Sequence, residues 1–251
     1  MQTYNEAQQK IADFLAGIPS LACGLGTRIT PCSIAALNLA MSGRLTDKIP
    51  DCASKVIGRW AIRVQDDCPA DIGRDNPVWR KCLPLLAGTG RDTELEKQRR
   101  DLILSWMWNC MAQIQPIADK RGHGKEWAEM CLLRTRESAL VARKAAYAAD
   151  YAAAADAAAA AAYAADYAYA TDDADAAADY AADAAADAAA AADAAAAADA
   201  AAAADYAAAA AAYAAYAAAY AAARREFWLK ANPPGLLEQL VSIGYVEEAQ
   251  K

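Results

Sequence analysis

Several residue types are scarce in this chain, and each scarcity closes a route. There is one histidine, His123, and there are two phenylalanines. Any Ser-His-Asp or Cys-His arrangement would have to use that imidazole, and no nucleophile motif accompanies it. Flanked by glycines, His123 reads as an exposed loop residue. The seven cysteines are odd in number and none forms a Cys-x-x-Cys pair. That argues against a structural zinc site and a fully paired disulfide frame; it suits reduced, mostly buried thiols in the cytoplasm. No metal and no cofactor are expected. The opening residues lack the basic and apolar regions of a secretion signal. No alternating β-branched run reaches strand length, so no sheet is expected. Glycine and proline are absent from residues 125–232, which leaves that span without a helix breaker.

What is abundant is alanine. Residues 145–223 hold 56 Ala, 12 Asp, 10 Tyr and one Thr, and nothing else. Alanine loses no side-chain entropy in a helix and has no polar group competing for the backbone. The tract is therefore read as helical, entered without interruption by a helix that starts at Lys125 and carries Trp127, Met130, Cys131, Leu132 and Leu133. An unbroken tract would be a rod of roughly 120 Å, but Thr171 followed by acids offers a cap for a new helix, so a break is expected there. Asp172, Asp173, Asp175, Asp179, Asp183 and Asp187 share one broad face. Beyond Asp187 the acids recur every sixth residue, at Asp193, Asp199 and Asp205. Six residues advance about 600°, so these acids walk round the helix and no one side faces water throughout. Tyr206, Tyr213, Tyr216 and Tyr220 form a stripe that Phe227 continues, a short seam for another helix or a second copy. Tyr147 with Tyr151, and Tyr163 with Tyr167, are one-turn pairs of the same kind.

Two uses of the tract are disfavoured. Residues 207–223 are uncharged, but Ala is barely apolar and Asp205 and Arg224 stand close on either side, so a membrane span is not expected. Twelve acids over 79 residues are sparse beside duplex DNA's one charge per ~1.7 Å, which argues against nucleic-acid mimicry.

Charge is divided unevenly. Residues 1–144 carry 21 basic and 16 acidic residues, net +5; residues 145–251 carry 4 and 16, net −12. The two parts can attract one another. The first part reads as a series of short helices. They begin near Asn5, at Thr30-Pro31, after Asp51, at Asn76-Pro77 and at Thr93, where Glu96 three residues on suggests a capping box. Gly43 closes the second, Pro84 disturbs the fourth and Pro116 ends the fifth. A last short helix follows Asn232-Pro233-Pro234-Gly235. The chain divides on this reading into a Trp- and Cys-containing helical domain (1–124), an Ala-rich helical region (125–231) and a C-terminal helix and tail (232–251). The fold class is all-α, with a helical hairpin or bundle for the Ala-rich region.

Three Gly-x-Gly turns lead to a basic residue and a helix start: Gly24 and Gly26 before Arg28, Gly88 and Gly90 before Arg91, Gly122 and Gly124 before Lys125. Free backbone amides there could hold a small anion or nucleotide. The competing reading is ordinary helix-ending and turn glycine, and no Walker or dinucleotide fingerprint is present. Arg59-Trp60 with Arg63, and Trp79-Arg80-Lys81, mix ring and charge as nucleic-acid binders do. The Trp positions fit apolar helix faces instead, and nucleic acid is not expected as a partner.

Gly58-Arg59-Trp60, the run from Leu83 to Arg91, Trp106-Met107-Trp108, Arg134-Thr135-Arg136 and Pro234-Gly235-Leu236-Leu237 together resemble an uncharacterised group of Ala-rich proteins of tailed phages and prophages. In composition the Ala-rich helices are similar to immunity proteins of bacterial toxin systems. Neither resemblance is tied to an activity, so no functional residue carries over. What they imply is a role in phage–host conflict. The expected function is non-enzymatic: contact with a protein partner or with further copies of the chain. Anion or nucleotide sequestration by the glycine turns and a toxin-immunity role are the alternatives.

Ala and Asp codons differ by one base, as do Asp and Tyr codons, so the tract reads as a grown codon repeat. Neighbouring alanines should then share codons in the gene; scattered synonymous codons would remove this account.

Overall fold

A computed structural model describes the backbone of residues 4–90, 92–149, 151–170, 174–204 and 209–244. It describes the side chains of the same residues except 166–170, 174–175, 196–204, 209–218 and 220. The elements are α1 (Glu6–Gly17), α2 (Ser33–Ser42), α3 (Lys55–Asp67), α4 (Pro77–Leu86), α5 (Thr93–Ala112), α6 (Gln115–Lys120), α7 (Gly124–Leu133), α8 (Arg136–Ala148), α9 (Ala152–Ala170), α10 (Ala174–Ala204), α11 (Ala209–Ala231) and α12 (Pro233–Ser242). No strand occurs among the described residues, only an isolated bridge between Gly26 and Pro31. The protein is all-α. α9 ends at Ala170 and α10 begins at Ala174; Thr171, the expected cap, lies outside the described residues.

Contacts divide the chain into two compact units. The first is Met1–Ile103 with Asp173–Asp179 and Asn232–Lys251; the second is Leu104–Asp172 with Tyr180–Ala231. The boundary drawn from sequence at 124/125 runs inside the second unit.

In the first unit, α1 packs on α2 and α4, and α12 packs on α3 and α4. Ile11, Leu37, Ile57, Leu83 and Leu240 are wholly buried there, with the Trp60 and Trp79 rings 5.6 Å apart. Local signals explain most boundaries. The Asn5 side chain accepts from Gln8 N–H in a reciprocal capping box. Gly43 takes the left-handed conformation that closes α2, and Asn76 caps α4 with Pro77 at its first position.

Three starts differ from the sequence reading. Pro31 pairs with Gly26, and α2 is capped by Cys32 instead. Ser54, not Asp51, caps α3. At α5 the capping side chain is Asp92, which accepts from the amides of Glu94 and Leu95. Glu96 is thereby released for a different task. Its Oε1 accepts from Arg99 Nη1 at 2.8 Å and its Oε2 from Val56 N–H at 3.1 Å. Arg99 is fully buried and donates through Nη2 to the carbonyls of Thr89 and Ile243. Thr89 Oγ1 accepts from Ser54 N–H and donates to Leu86 O, both at 2.8 Å. One buried polar node thus ties the starts of α3 and α5 to the 88–90 turn and the end of α12.

In the second unit, the helix expected to run on from Lys125 is broken twice. Arg134 adopts φ 55, and the next helix restarts at Thr135, whose side chain pairs reciprocally with Ser138. A Thr-x-x-Ser cap competes with helix continuation without any Gly or Pro. The second break, after Ala148, turns the chain back. α8 and α9 then lie side by side, and Tyr147 donates to Asp156 at 3.2 Å. Tyr147 and Tyr151 are therefore not a one-turn pair: Tyr147 is exposed and Tyr151 is buried. Asp150 lies outside the described residues.

α9 and α10 run antiparallel. Tyr151 donates to Ala191 O, and twelve residues on Tyr163 stacks against Tyr180, eleven residues back, at 5.5 Å. Ala154, Ala158, Ala161 and Ala165 of α9 are buried, as are Ala177, Ala181, Ala184, Ala188 and Ala191 of α10. These are three-and-four spacings, the period of a helix face. Each methyl removes little area from water, so the rings and ion pairs between the methyls fix which residue meets which. Asp193 is one such point. It is fully buried, with Arg224 Nη1 3.6 Å away. The six-residue walk of the acids carries Asp193 off the face of Asp187 and into the interior, so not every Asp serves solubility.

Replacing Arg99 by Met strands the Glu96 carboxylate and should lower unfolding free energy by about 3–5 kcal/mol. Adding Glu96→Leu should restore part of the loss. Urea titration of both variants tests this; a single-variant loss below about 1 kcal/mol would show the node to be dispensable.

Candidate functional site

The glycine turns come first, because their amides can be followed one by one. Gly24 N–H donates to Asp66 Oδ1 at 2.8 Å: the anion held at that turn is a carboxylate of the same chain. Arg28 donates to Gly43 O at 3.1 Å. At the second turn the amides of Gly88, Thr89 and Gly90 go to the carbonyls of Leu85, Leu86 and Cys52, while Arg91 lies outside the described residues. At the third, Gly122 N–H goes to Asp119 O and His123 N–H to Ala118 O. Gly124 is buried as the first residue of α7, and Lys125 is exposed. The turns at 24–26 and 88–90 belong to the first unit and the turn at 122–124 to the second. The amides traced here are satisfied within the chain, which leaves them little to offer an outside anion.

Of the tyrosine seam, Tyr206 and the side chains of Tyr213, Tyr216 and Tyr220 lie outside the described residues. Phe227 is buried edge-on against Trp228 at 5.5 Å, so it packs the second unit rather than facing out.

His123 corrects the sequence reading: it is 1% exposed. Its ring stands 6.1 Å from Trp127 and 6.0 Å from Tyr151. Neither ring nitrogen makes a hydrogen bond of good geometry. Burial pushes the imidazole below its usual pKa; the Arg121 backbone and Glu126 oppose this, and the Arg121 charge adds to it. Arg121 lies 4.2 Å over the Tyr151 ring, a cation–π contact. Burial also raises the Tyr151 phenol to about 12, with Arg121 opposing. The group reads as a wedge that locks the α7, α8 and α9 turns together.

The cysteines are all free. Four are buried, Cys52 and Cys131 are half-buried, and Cys23 is exposed, contrary to expectation. Burial raises the Cys82 and Cys131 thiols to about 11, so they stay protonated at neutral pH and are poor nucleophiles. Among the described residues no His, Cys, Asp and Glu cluster could hold a metal ion, and no helix is long and apolar enough to cross a membrane.

Each unit also carries concave surfaces. In the first unit a cleft of about 660 Å³ is lined by Lys48, Lys55, Arg59 and Arg63 together with Asp47, Asp51 and Asp179. Arg63 is paired with Asp179 at 3.0 Å, and the opposing charges leave the cleft near neutrality. In the second unit the corner between α7 and α8 holds a groove of about 200 Å³. Its walls are Leu133 and Val141, with Thr135 and Ser138 below and Glu126, Glu129 and Glu137 around it. Leu132, Leu133 and Val141 are 79%, 52% and 54% exposed. The sequence reading assigns Leu132 and Leu133 to this helix without giving them a face. A signal for their exposure is present: Met130 to Leu133 are four consecutive apolar residues, and four in a row cover too wide an arc for one face. Val141 had no signal of its own.

Comparison with known proteins finds no family model, no curated protein and no solved structure that matches the chain.

Because His123 is held neutral, its unfolded form binds a proton more readily than its folded form. Stability should be full above pH 6.5, the ordinary value, and should fall as the pH drops through the lowered folded value. His123→Phe should flatten that part of the curve in chemical denaturation from pH 7.5 to 5. An unchanged slope would show that His123 does not cause it.

Proposed function

We propose that this protein works without catalysis, by binding another protein through its second unit. The observation that supports it is the α7–α8 corner. The described part of the chain buries all six tryptophans to 8% exposure or less, yet leaves Leu133 and Val141 open in one groove, with Leu132 exposed next in sequence to Leu133. Isolated exposed apolar residues are ordinary; a contiguous group rimmed by charge marks a contact surface. The thiols, none in a disulfide, support placing this contact in a reducing compartment, the cytoplasm. Phage–host conflict, the setting implied by the resemblance, and a toxin-immunity role both fit an activity of this kind. Self-association is the same activity with a second copy as partner.

Leu132→Ser, Leu133→Ser and Val141→Thr remove the apolar surface at exposed positions, so folding should stay within about 0.5 kcal/mol of the parent. Capture of partners by crosslinking in the native host, and sedimentation across a concentration series, should both weaken by about tenfold or more if the corner is the contact. Identical capture and identical sedimentation for the triple variant would remove the corner from this account.

A further inference from the structure

The corner's shape and charge specify what it receives. Its volume, about 200 Å³, falls below the ~300–1,000 Å³ of small-molecule sites; it suits one or two inserted side chains. Its floor asks for nothing polar. Thr135 and Ser138 satisfy each other through side chain and backbone, so an apolar group seated there strands no donor or acceptor. Its rim is acidic on both sides. Glu126 and Glu129 stand one turn apart on α7, Glu137 stands on α8, and no Lys or Arg lines the groove. Of the neighbouring cations, Arg134 folds back to donate to Cys131 O.

We propose that the α7–α8 groove receives a basic amphipathic helix of a protein partner. Apolar residues three or four apart in that helix seat against Leu133 and Val141, and Lys or Arg on both flanks face Glu126, Glu129 and Glu137. This is the helix-in-groove mode of recognition, and it rests on the protein-binding reading above. The carboxylates are open to water, so they steer association and reject acidic helices more than they add affinity. The contact should therefore weaken as salt rises.

The test uses the full chain and two labelled helical peptides: one built from Leu and Lys at amphipathic spacing, and its twin with Glu for every Lys. In anisotropy at low salt, the Lys peptide should bind and the Glu peptide should not. Leu133→Asp with Val141→Asp should abolish binding. Glu126→Gln, Glu129→Gln and Glu137→Gln together should weaken it about tenfold, with circular dichroism of each variant matching the parent. Equal binding of both peptides overturns the proposal. So does unchanged affinity of the Lys peptide for the glutamine variant, which would mean attraction to net charge alone. Binding of neither peptide, while the corner variants still lose their native partner, overturns this inference and leaves protein binding standing. Concentration-dependent sedimentation abolished by the corner variants would make a second copy the occupant and likewise overturn it. If corner variants change nothing in any assay, both fall.

Discussion

A fold made of many short helices must find partners for the last carbonyls of each one, and that requirement shapes this protein more than any other. An α-helix leaves four carbonyls without intrahelical donors at its C-terminal end, and buried ends cannot turn to water. Here long side chains from elsewhere in the chain supply the donors. Arg80 reaches the carbonyls of Leu15 and Ile18 at the end of α1. Trp127 donates to Met111 at the end of α5, and Trp106 to Ala231 at the end of α11. Arg74 serves Gln65 in the last turn of α3, and Arg99 serves Ile243 just past α12. An indole suits this task because its body is apolar and its N–H is a single directed donor. A guanidinium suits it because five N–H groups can divide between two ends at once.

That use explains why the residues with chemical promise in the sequence yield so little surface. Trp79-Arg80 reads like a nucleic-acid pair, but Arg80 caps α1 and Trp79 donates to Ser33 Oγ in the core. Gly88-Thr89-Gly90 reads like a phosphate turn, but its amides go to the carbonyls of Leu85, Leu86 and Cys52, and the Thr89 carbonyl and hydroxyl belong to the node around Arg99. Among the apolar side chains left exposed, Leu133 and Val141 share one groove edged by carboxylates, at the α7–α8 corner. The functional reading follows from which groups remain after the interior has taken what it needs.

Local signals were legible where the determining partner sits within a few residues. Asn5, Gly43 and Asn76-Pro77 mark their helix ends correctly, and the lack of alternating runs sufficed for the all-α class. Reading failed where the partner is distant. Glu96 looks like the third residue of a capping box, but its carboxylate serves Val56 and Arg99. His123 looks like a loop residue, but Trp127 and Tyr151 enclose it. The break at Arg134 had a sequence signal in Thr135 and Ser138; the turn after Ala148 had no Gly, Pro or capping pattern, and Tyr151, which follows it, reaches the distant Ala191. The groove was half legible, through the run from Met130 to Leu133, and Val141 faces it only because α8 turns back.

The alanine-rich helices carry one more consequence. A methyl is the same at every position, so long stretches of these helices could slide past one another by a turn and still fit. Register is indexed by a few marks: Tyr151 on Ala191, Tyr163 on Tyr180, Asp193 with Arg224. A gained or lost alanine inside an arm, between two marks, advances one mark by about 100° and 1.5 Å relative to the other. Outside the marks, between Tyr163 and Tyr180 in the chain, the same change leaves both in phase. A tract that grows by slippage can therefore lengthen between Tyr163 and Tyr180 almost freely, while its arms tolerate change only in matched steps, like teeth added to both halves of a zip.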